Sequence, residues 1–204
     1  MPLGILSLFR RHTDNIILAS ASPRRSEILR LGGLRDFTVA PVEVKEDIEP
    51  GIPPYEAVMK LSEKKAAAAS LMFSSRDIII AADTIVWLDG RLLGKPRDEA
   101  EAYKMLSELS GRSHTVYTGV TVRRGDVSIT EYEATQVNFR ELEKREIRAY
   151  IRTGEPMDKA GAYGIQGAAC TFVTGITGDY FNIMGLPAAR VSRMLRGFGV
   201  AMLK

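Results

Sequence analysis

Apolar positions along the chain recur with two periods, which divide it into strands and helices. Residues 15–20 ("NIILAS") form an apolar run that predicts a buried strand, and a helical pattern starts directly after it. Ser22 is a favoured N-cap residue and Pro23 suits the first helical position, while Gly32 and Gly33 mark the end of the helix. The first segment is therefore predicted to be a strand, a turn and a helix.

Short strands and amphipathic helices continue to alternate along the rest of the chain. We predict a strand that starts at residue 36, strands in residues 77–94, 114–140 and 170–179, and helices in residues 55–72, 97–111, 141–154 and 185–199. Two dipeptides, Asp89-Gly90 and Gly125-Asp126, are typical of tight turns and divide two of these segments into β-hairpins. Strands that suit parallel pairing, mixed with hairpins and helices, predict an α/β fold with a mixed sheet.

The length of the chain favours one domain. A chain of 204 residues can bury a sizeable core but is too short for two enzymatic domains of ordinary size. We predict a short N-terminal extension at residues 1–14 and a single domain at residues 15–204. The extension carries an apolar run followed by arginines, which is the reverse of a secretory signal.

Composition and charge narrow the class of protein. A hydrophobic fraction of 45% and a charged fraction of 26% are typical of a soluble globular protein. The net charge of +3 weakly favours anionic partners and is far from the dense basic stripe of a dedicated nucleic-acid binder. One cysteine, Cys170, excludes an intramolecular disulfide, and no segment approaches the roughly 20 apolar residues of a membrane span. We therefore expect a cytoplasmic protein that does not partner a membrane or nucleic acid.

Two cations occupy the wrong end of the first predicted helix. Arg24 and Arg25 fall in its first turn, where the helix dipole is positive and acidic residues are preferred. A bound polyanion would remove this cost, because guanidinium groups and free helix N–H groups both bind phosphate. The alternative is that both arginines extend into solvent or pair with acids such as Glu27.

Asp83 follows the apolar run "IIIAA" and so lies near the end of a strand that is expected to be buried. A carboxylate there needs a charged partner, a capping role or a metal ion. Glu43, Glu46 and Asp47 could supply a second carboxylate for a divalent ion. The alternatives are an aspartate that caps a turn, and acids that are only solvated.

Several cations lie in segments that are typical of ligand sites. Lys95 and Lys159 fall in loops bounded by glycine or proline, and either Lys64 or Lys65 could turn toward a crevice. With one or two carboxylates, such cations are equipped for phosphoryl chemistry. The alternative is that Lys64 and Lys65 both lie on the solvent-exposed face of their helix and bind no ligand.

The glycine-rich segment "GAYGIQG" matches neither of the standard phosphate-binding patterns. The amide of Gln166 within it could contact either a base or the backbone, and the pattern alone favours the backbone. We assign His114, Cys170 and Trp87 to structure, since no catalytic triad can be assembled around them.

Four long blocks together resemble the Maf family of nucleoside triphosphate pyrophosphatases. They are "LASASPRRSEIL", "AADTIVWLDGRLLGKPRDEAEAYKMLSELSGRSHTVYTGV", "EPMDKAGAYGIQG" and "GDYFNIMGLP", and they follow the order of the family. The resemblance runs from about residue 15 to residue 198. Within the family, "DKAGAYGIQG" is similar to the branch that acts on dTTP and UTP.

The resemblance implies a fold, a reaction and a set of site residues. The fold would be of the inosine-triphosphatase-like type, with an elongated mixed sheet, flanking helices, two lobes and a central cleft, commonly as a homodimer. The reaction would hydrolyse a nucleoside triphosphate to the monophosphate and pyrophosphate, with Mg or Mn as the divalent cation. Asp83 would be the proton acceptor and, with Glu43, a metal ligand. Substrate binding would fall to Ser22, Arg24, Arg25, Lys65, Thr84, Lys95, Lys159 and Gln166.

Two other functions fit the same residues. The first is the same reaction on another nucleotide, such as 7-methyl-GTP or CTP. The second is a non-enzymatic regulator of septum formation that binds nucleic acid or protein. The dispersed basic residues disfavour nucleic-acid binding, because they lack the interleaved aromatic residues of a single-strand platform.

Overall fold

The structure is a computed structural model that describes residues 15–45, 47–48 and 51–203. The predicted extension at residues 1–14 and the alternative ligand Glu46 lie outside these described residues. Within the described part, no helix has the length and apolar character that a membrane span requires.

One mixed sheet of seven strands forms the centre of the fold. The strands are β1 (Ile16–Leu18), β2 (Thr38–Val39), β3 (Ile78–Leu88), β4 (Arg91–Leu93), β5 (Ser113–Arg124), β6 (Val127–Phe139) and β7 (Val173–Thr177). Their order is β2-β1-β3-β5-β6-β7, and β4 pairs with β3 outside this path. β1 is parallel to both β2 and β3, and the remaining pairs are antiparallel. The predicted α/β fold with a mixed sheet is confirmed.

Helices flank the sheet on both faces. They are α1 (Pro23–Leu31), α2 (Pro54–Ser70), α3 (Glu99–Leu109), α4 (Lys144–Ile151), α5 (Tyr180–Ile183) and α6 (Ala188–Gly197). The predicted N-cap of α3 is confirmed, because the Asp98 carboxylate accepts a hydrogen bond from the Glu101 N–H at 2.8 Å. Both predicted hairpin turns are also present, with positive φ at Asp89, Gly90 and Gly125.

Three local features differ from the sequence-based expectation or were not anticipated by it. Ser22 occupies the N-cap position of α1, but its side chain forms no capping hydrogen bond with any described residue. The strand predicted at residues 170–179 is shorter than expected, because residues 168–171 form a 3-10 turn and β7 covers only Val173–Thr177. The helix α5 was not predicted, because at four residues it is too short to show a hydrophobic period.

The long strand β3 connects two core clusters on one of its faces. Ile78 and Ile80, in its first half, pack with residues of α1 and α6. Val86 and Leu88, in its second half, pack with residues of α3 and α4. The two clusters correspond to the two predicted lobes, and the middle of β3 lies between them.

One edge of β3 is open in its middle. β1 pairs with residues 78–80 and β4 with residues 86–88, and no described strand pairs with residues 81–85 on this edge. On the other edge, β5 pairs continuously from residue 79 to residue 87. We call residues 81–85 the β3 gap. It leaves a cleft where side chains from both faces of the sheet reach a common edge.

Candidate active site

Two successive residues of the β3 gap, Asp83 and Thr84, point to opposite faces of the sheet, because side chains alternate along a strand. Asp83 contacts Lys65 of α2 on one face. Thr84 contacts Arg25 of α1 on the other face. The predicted site residues are therefore divided between two faces that meet at the open edge.

Asp83 forms a buried ion pair with Lys65. The Nζ atom of Lys65 lies 2.5 Å from Oδ1 of Asp83, and their side chains are only 13% and 10% exposed. A carboxylate removed from water needs such a partner, since an isolated buried charge is costly. Of the two lysines that could turn toward the crevice, Lys65 faces Asp83, whereas Lys64 is exposed.

A glycine brings α2 close enough for this contact. Gly119 of β5 lies directly opposite Asp83 in the sheet. A Cβ atom at Gly119 would lie 2.3 Å from the carbonyl oxygen of Val58 in α2. Because glycine has no Cβ, α2 can pack against the sheet at this point, and Lys65 comes within hydrogen-bonding distance of Asp83.

Open space lies on the same face of β3. A cavity of about 460 Å³ is lined by Ile85 and Trp87, which alternate with Thr84 and Val86 and so share the face of Asp83. Its other walls come from the start of α2 and from the β3–β4 hairpin. The cavity therefore lies on the Asp83 face of the sheet, between the start of α2 and the β3–β4 hairpin.

The hydroxyl of Thr84 belongs to a hydrogen-bond chain. It accepts from Nη2 of Arg25 at 3.1 Å and lies 2.9 Å from the hydroxyl of Thr118. The Thr118 hydroxyl donates its one proton to the carbonyl oxygen of Asn182 at 3.0 Å. The bond between the two threonines must therefore use the Thr84 proton. Thr84 can accept a hydrogen bond from a ligand but has no proton left to donate.

Three oxygen acceptors orient the Arg25 side chain. Besides Thr84, its guanidinium donates to Ser20 Oγ at 3.0 Å and to the carbonyl oxygen of Gly185 at 2.8 Å. Ser20 also accepts from the backbone N–H of Ser22 at 3.2 Å, which fixes the start of α1. These three acceptors orient the Arg25 guanidinium between the start of α1 and the open edge of β3.

A carboxylate joins the two sides of the cleft. Asp158 accepts from Arg24 of α1 at 3.3 Å and from Nζ of Lys159 at 2.6 Å. Partial burial alone would raise the pKa of Asp158, but the hydrogen bond from Lys159 and the charges of Lys159 and Arg24 lower it overall. Asp158 thus occupies a position between two cations that a phosphate group could also occupy.

The segment 155–167 positions the remaining predicted residues. The Gly161 N–H donates to the carbonyl oxygen of Gly94 at 3.0 Å, which holds the loop of Lys95 next to that of Lys159. Lys95 is exposed just beyond β4. Gln166 is also exposed, in a turn closed by a 3.0 Å hydrogen bond from the Gly167 N–H to the Gly164 carbonyl oxygen. Both side chains are exposed to solvent.

Glu43 is not brought into contact with Asp83. It is exposed on the segment after β2 and forms no hydrogen bond or ion pair with another described residue. The described residues also contain no group of three or more acids, histidines or cysteines that could hold a metal ion by themselves. Asp83 is the buried carboxylate available for such a role at the β3 gap.

His114 lies in the core, as its assignment to structure requires. Its Nε2 atom is 2.8 Å from the hydroxyl of Tyr163, and Phe139 packs edge-on against the ring. Burial lowers the pKa of His114 from 6.5 to about 4. The histidine is therefore neutral at physiological pH and is tied to the segment that carries Gln166.

Several residues of the site were missed from the sequence. Ser20 and Gly185 fix Arg25, and Asp158 joins Arg24 to Lys159. Asp158 had a detectable signal, because it stands next to Lys159 in the block "EPMDKAGAYGIQG". Gly185 had none, since the sequence does not show that a carbonyl oxygen 160 residues from Arg25 is its acceptor.

Comparison with known proteins identifies the family. A family model described as Maf-like protein matches residues 15–198. A protein from Symbiobacterium thermophilum, named dTTP/UTP pyrophosphatase, is 50% identical over 91% of this chain and 95% of its own length. Proteins of the same name from Koribacter versatilis and Bacillus cereus are 51% and 47% identical, over 91% and 96% of this chain and 95% and 97% of their own lengths. Among solved structures, a HAM1 protein from Coxiella burnetii matches with 17% identity and a TM-score of 0.40, over 62% of this chain and 73% of that chain.

Proposed function

This chain belongs to the Maf-like protein family, and we propose that it is a nucleoside triphosphate pyrophosphatase that hydrolyses dTTP and UTP. Three relatives with 50%, 51% and 47% identity carry that name. The observation that carries the proposal is the position of Asp83, a buried carboxylate at the open edge of β3 next to the cationic start of α1.

The proposed reaction breaks the bond between the α-phosphorus and the oxygen that bridges to the β-phosphorus. A water oxygen attacks the α-phosphorus, Asp83 accepts the proton of that water, and the electrons of the broken bond leave with pyrophosphate. Lys65 orients the Asp83 carboxylate through its 2.5 Å contact. In this scheme the aspartate acts as a general base whose geometry is fixed before substrate arrives.

The cations would stabilise the leaving pyrophosphate. Arg24 and Arg25 at the start of α1, with Lys95 and Lys159 on the opposite loops, carry the positive charge for the β- and γ-phosphates. The Asp158 carboxylate already bridges two of these cations, Arg24 and Lys159. Phosphate oxygens would replace that carboxylate, so substrate binding exchanges one anion for another.

We propose a divalent cation of the Mg²⁺ or Mn²⁺ type, for which Asp83 at the β3 gap would supply one carboxylate ligand. Such ions prefer oxygen ligands and are commonly held by one or two carboxylates, with substrate phosphates and water completing the shell. Asp83 would be one ligand, and Glu43 remains the predicted second one. When bound, the ion would neutralise phosphate charge and make the attacking water more acidic.

Gln166 would select the base. Uracil and thymine share an N3–H donor flanked by carbonyl acceptors, and a side-chain amide offers one donor and one acceptor to match this edge. Cytosine has an acceptor at N3 and an amino group at C4, so an amide held in one orientation would disfavour it. Discrimination of this kind is strong when the wrong base leaves polar groups unpaired.

The test is pyrophosphate release from a panel of nucleoside triphosphates with Mg²⁺ or Mn²⁺. We expect turnover of dTTP and UTP well above CTP and 7-methyl-GTP, and a loss of at least about 100-fold in Asp83→Asn. Asp36→Asn is the matched control, because Asp36 is an exposed aspartate away from the β3 gap. Thermal melting and nucleotide binding would verify that Asp83→Asn is folded.

Each outcome of this test separates the candidate functions. Near wild-type turnover in a folded Asp83→Asn protein would exclude Asp83 as the proton acceptor. Preferred turnover of 7-methyl-GTP or CTP would keep the reaction and replace the substrate. No release from any triphosphate by folded, metal-loaded protein would exclude the enzyme and favour a binding role. The cytoplasmic location and the homodimer stay predictions.

A further inference from the structure

The turn that carries Gln166 is hydrogen-bonded at both ends to one pair of side chains, the buried Tyr150 and the half-buried Glu155. The hydroxyl of Tyr150 in α4 donates to Oε1 of Glu155 at 2.8 Å. The same hydroxyl accepts from the Gly164 N–H at 3.1 Å, and Oε2 of Glu155 accepts from the Ala168 N–H at 3.1 Å. Gln166 lies midway between these two anchored amides.

The turn also packs directly on this pair. A Cβ atom at Gly167 would lie 2.1 Å from Oε1 of Glu155, and one at Gly164 would lie 2.6 Å from Cε of Lys159. Neither glycine has a positive φ, so a larger residue at either position would displace the Lys159 or Glu155 side chain rather than strain the backbone. The backbone on each side of Gln166 is therefore fixed by close contact as well as by hydrogen bonds.

The donors and acceptors of Tyr150 and Glu155 allow only one arrangement of hydrogen bonds between them and the turn. Burial raises the pKa of the Tyr150 hydroxyl above its usual value, so the group stays protonated. Its single proton goes to Glu155, and its oxygen is left to accept from Gly164. Both oxygens of the Glu155 carboxylate act as acceptors, which an uncharged amide could not reproduce.

Glu155 also holds a cation of the site. Its backbone carbonyl oxygen accepts from Nζ of Lys159 at 2.7 Å, and the Lys159 side chain is only 11% exposed. One residue thus positions the base-selecting turn through its side chain and a phosphate-binding lysine through its backbone. A substitution of the Glu155 side chain alters its contacts with the turn but leaves its carbonyl oxygen bonded to Lys159.

We propose that Glu155 and Tyr150 are positioning residues that set the base selectivity of Gln166 by fixing the turn at residues 164–167. This inference rests on the proposed function, in which Gln166 contacts the base. The pair touches no reacting atom in this scheme, so it acts on discrimination between nucleotides and not on the hydrolytic step. Its loss should relax selectivity for UTP over CTP more than it lowers the maximal rate.

The experiment compares Tyr150→Phe and Glu155→Gln with wild type on UTP and CTP. We expect the ratio of kcat/KM for UTP to that for CTP to fall up to about tenfold in each variant. Tyr150→Phe removes the bonds from Gly164 and to Glu155, and Glu155→Gln leaves one acceptor oxygen for two donors. The value of kcat for UTP should change less than twofold, with most of the effect in KM. Amide hydrogen exchange at Gly164 should accelerate in Tyr150→Phe, and exchange at Ala168 in Glu155→Gln.

Glu146→Gln is the matched control. Glu146 caps α4 and pairs with Arg140, so its substitution also removes hydrogen bonds of a carboxylate, but away from the turn. It should lower thermal stability without changing the UTP to CTP ratio. An unchanged ratio in Tyr150→Phe and Glu155→Gln, or an equal change in Glu146→Gln, would overturn the proposal. Wild-type protein that fails to hydrolyse UTP would instead refute the proposed function, and the exchange data would still report whether the pair anchors the turn.

Discussion

The Asp83–Lys65 pair and the His114–Tyr163 pair are both buried against the central sheet, but only the first consists of opposite charges. Asp83 and Lys65 meet at 2.5 Å at the open edge of β3. His114 and Tyr163 meet at 2.8 Å inside a lobe, where burial lowers the pKa of His114 to about 4. His114 is buried in its neutral form, whereas Asp83 and Lys65 are buried as an ion pair. Both pairs are buried, so burial alone does not separate a structural pair from a candidate catalytic one. The charge state and the access to the cleft make the distinction.

The strongest test of this contrast removes the cation of the first pair. Lys65→Met should lower the free energy of unfolding by about 3–5 kcal/mol, because the Asp83 carboxylate stays buried without its lysine. Urea denaturation would measure the change. Lys64→Met, on the exposed side of the same helix, is the control and should have almost no effect. A loss below about 1 kcal/mol would mean that the Asp83–Lys65 pair behaves as a solvated surface pair.

The burial of neutral His114 should make the free energy of unfolding depend on pH. Burial lowers the pKa of His114 to about 4 in the folded protein, against an ordinary histidine value of 6.5. Between these values the unfolded chain binds the proton first, so the free energy of unfolding falls as the pH drops from 6.5 toward 4. The histidine alone should account for about 3 kcal/mol of that loss.

The variant His114→Gln isolates this contribution, because it removes the titrating group while other groups still titrate. Urea denaturation at several pH values would compare it with wild type. The wild-type protein should lose more stability than the variant between pH 6.5 and 4. Parallel pH profiles would show that His114 has an ordinary pKa and is accessible to water.

The smallest expected change in stability comes from removing the hydrogen bond between His114 and Tyr163. Tyr163→Phe should cost about 1 kcal/mol of unfolding free energy, since it leaves Nε2 of His114 without its partner. His114 Nδ1 already has no hydrogen-bond partner among the described residues. Tyr117→Phe is the control, because the Tyr117 hydroxyl forms no hydrogen bond within the described part of the chain. Equal melting temperatures of the two variants would show that the His114–Tyr163 bond contributes nothing measurable.

Local features of the fold followed from the sequence. The strand before α1, the capping aspartate of α3 and the two hairpin turns depend on residues that are neighbours in the chain, and each was predicted. The N-cap position of α1 at Ser22 is confirmed, but the Ser22 side chain forms no capping hydrogen bond with a described residue. Ser20, two residues earlier, instead accepts from the Ser22 N–H and from Arg25. A tertiary contact of the arginine thus competes with the local preference of the serine.

The arrangement of the site depended on long-range contacts. Asp83, Arg25 and Lys65 were all named as candidates, but the sequence did not show that Asp83 and Thr84 serve opposite faces of one strand. Nor did it show that Asp158 bridges Arg24 and Lys159, because Arg24 and Asp158 are 134 residues apart. Residue types indicated the chemistry, and the pairing of strands decided which groups meet.

The position of Asp83 and Thr84 as neighbours in β3 makes the site sensitive to strand alignment. A shift of β3 by one residue against β5 would exchange the two side chains across the sheet and place the carboxylate among the partners of Arg25. Nine consecutive residue pairs between β3 and β5, from Ile79–Arg123 to Trp87–Thr115, oppose such a shift. Insertions or deletions in the β3–β5 connection are thus tolerable only if they leave that alignment unchanged, whereas the same changes in exposed loops far from β3 carry no such constraint.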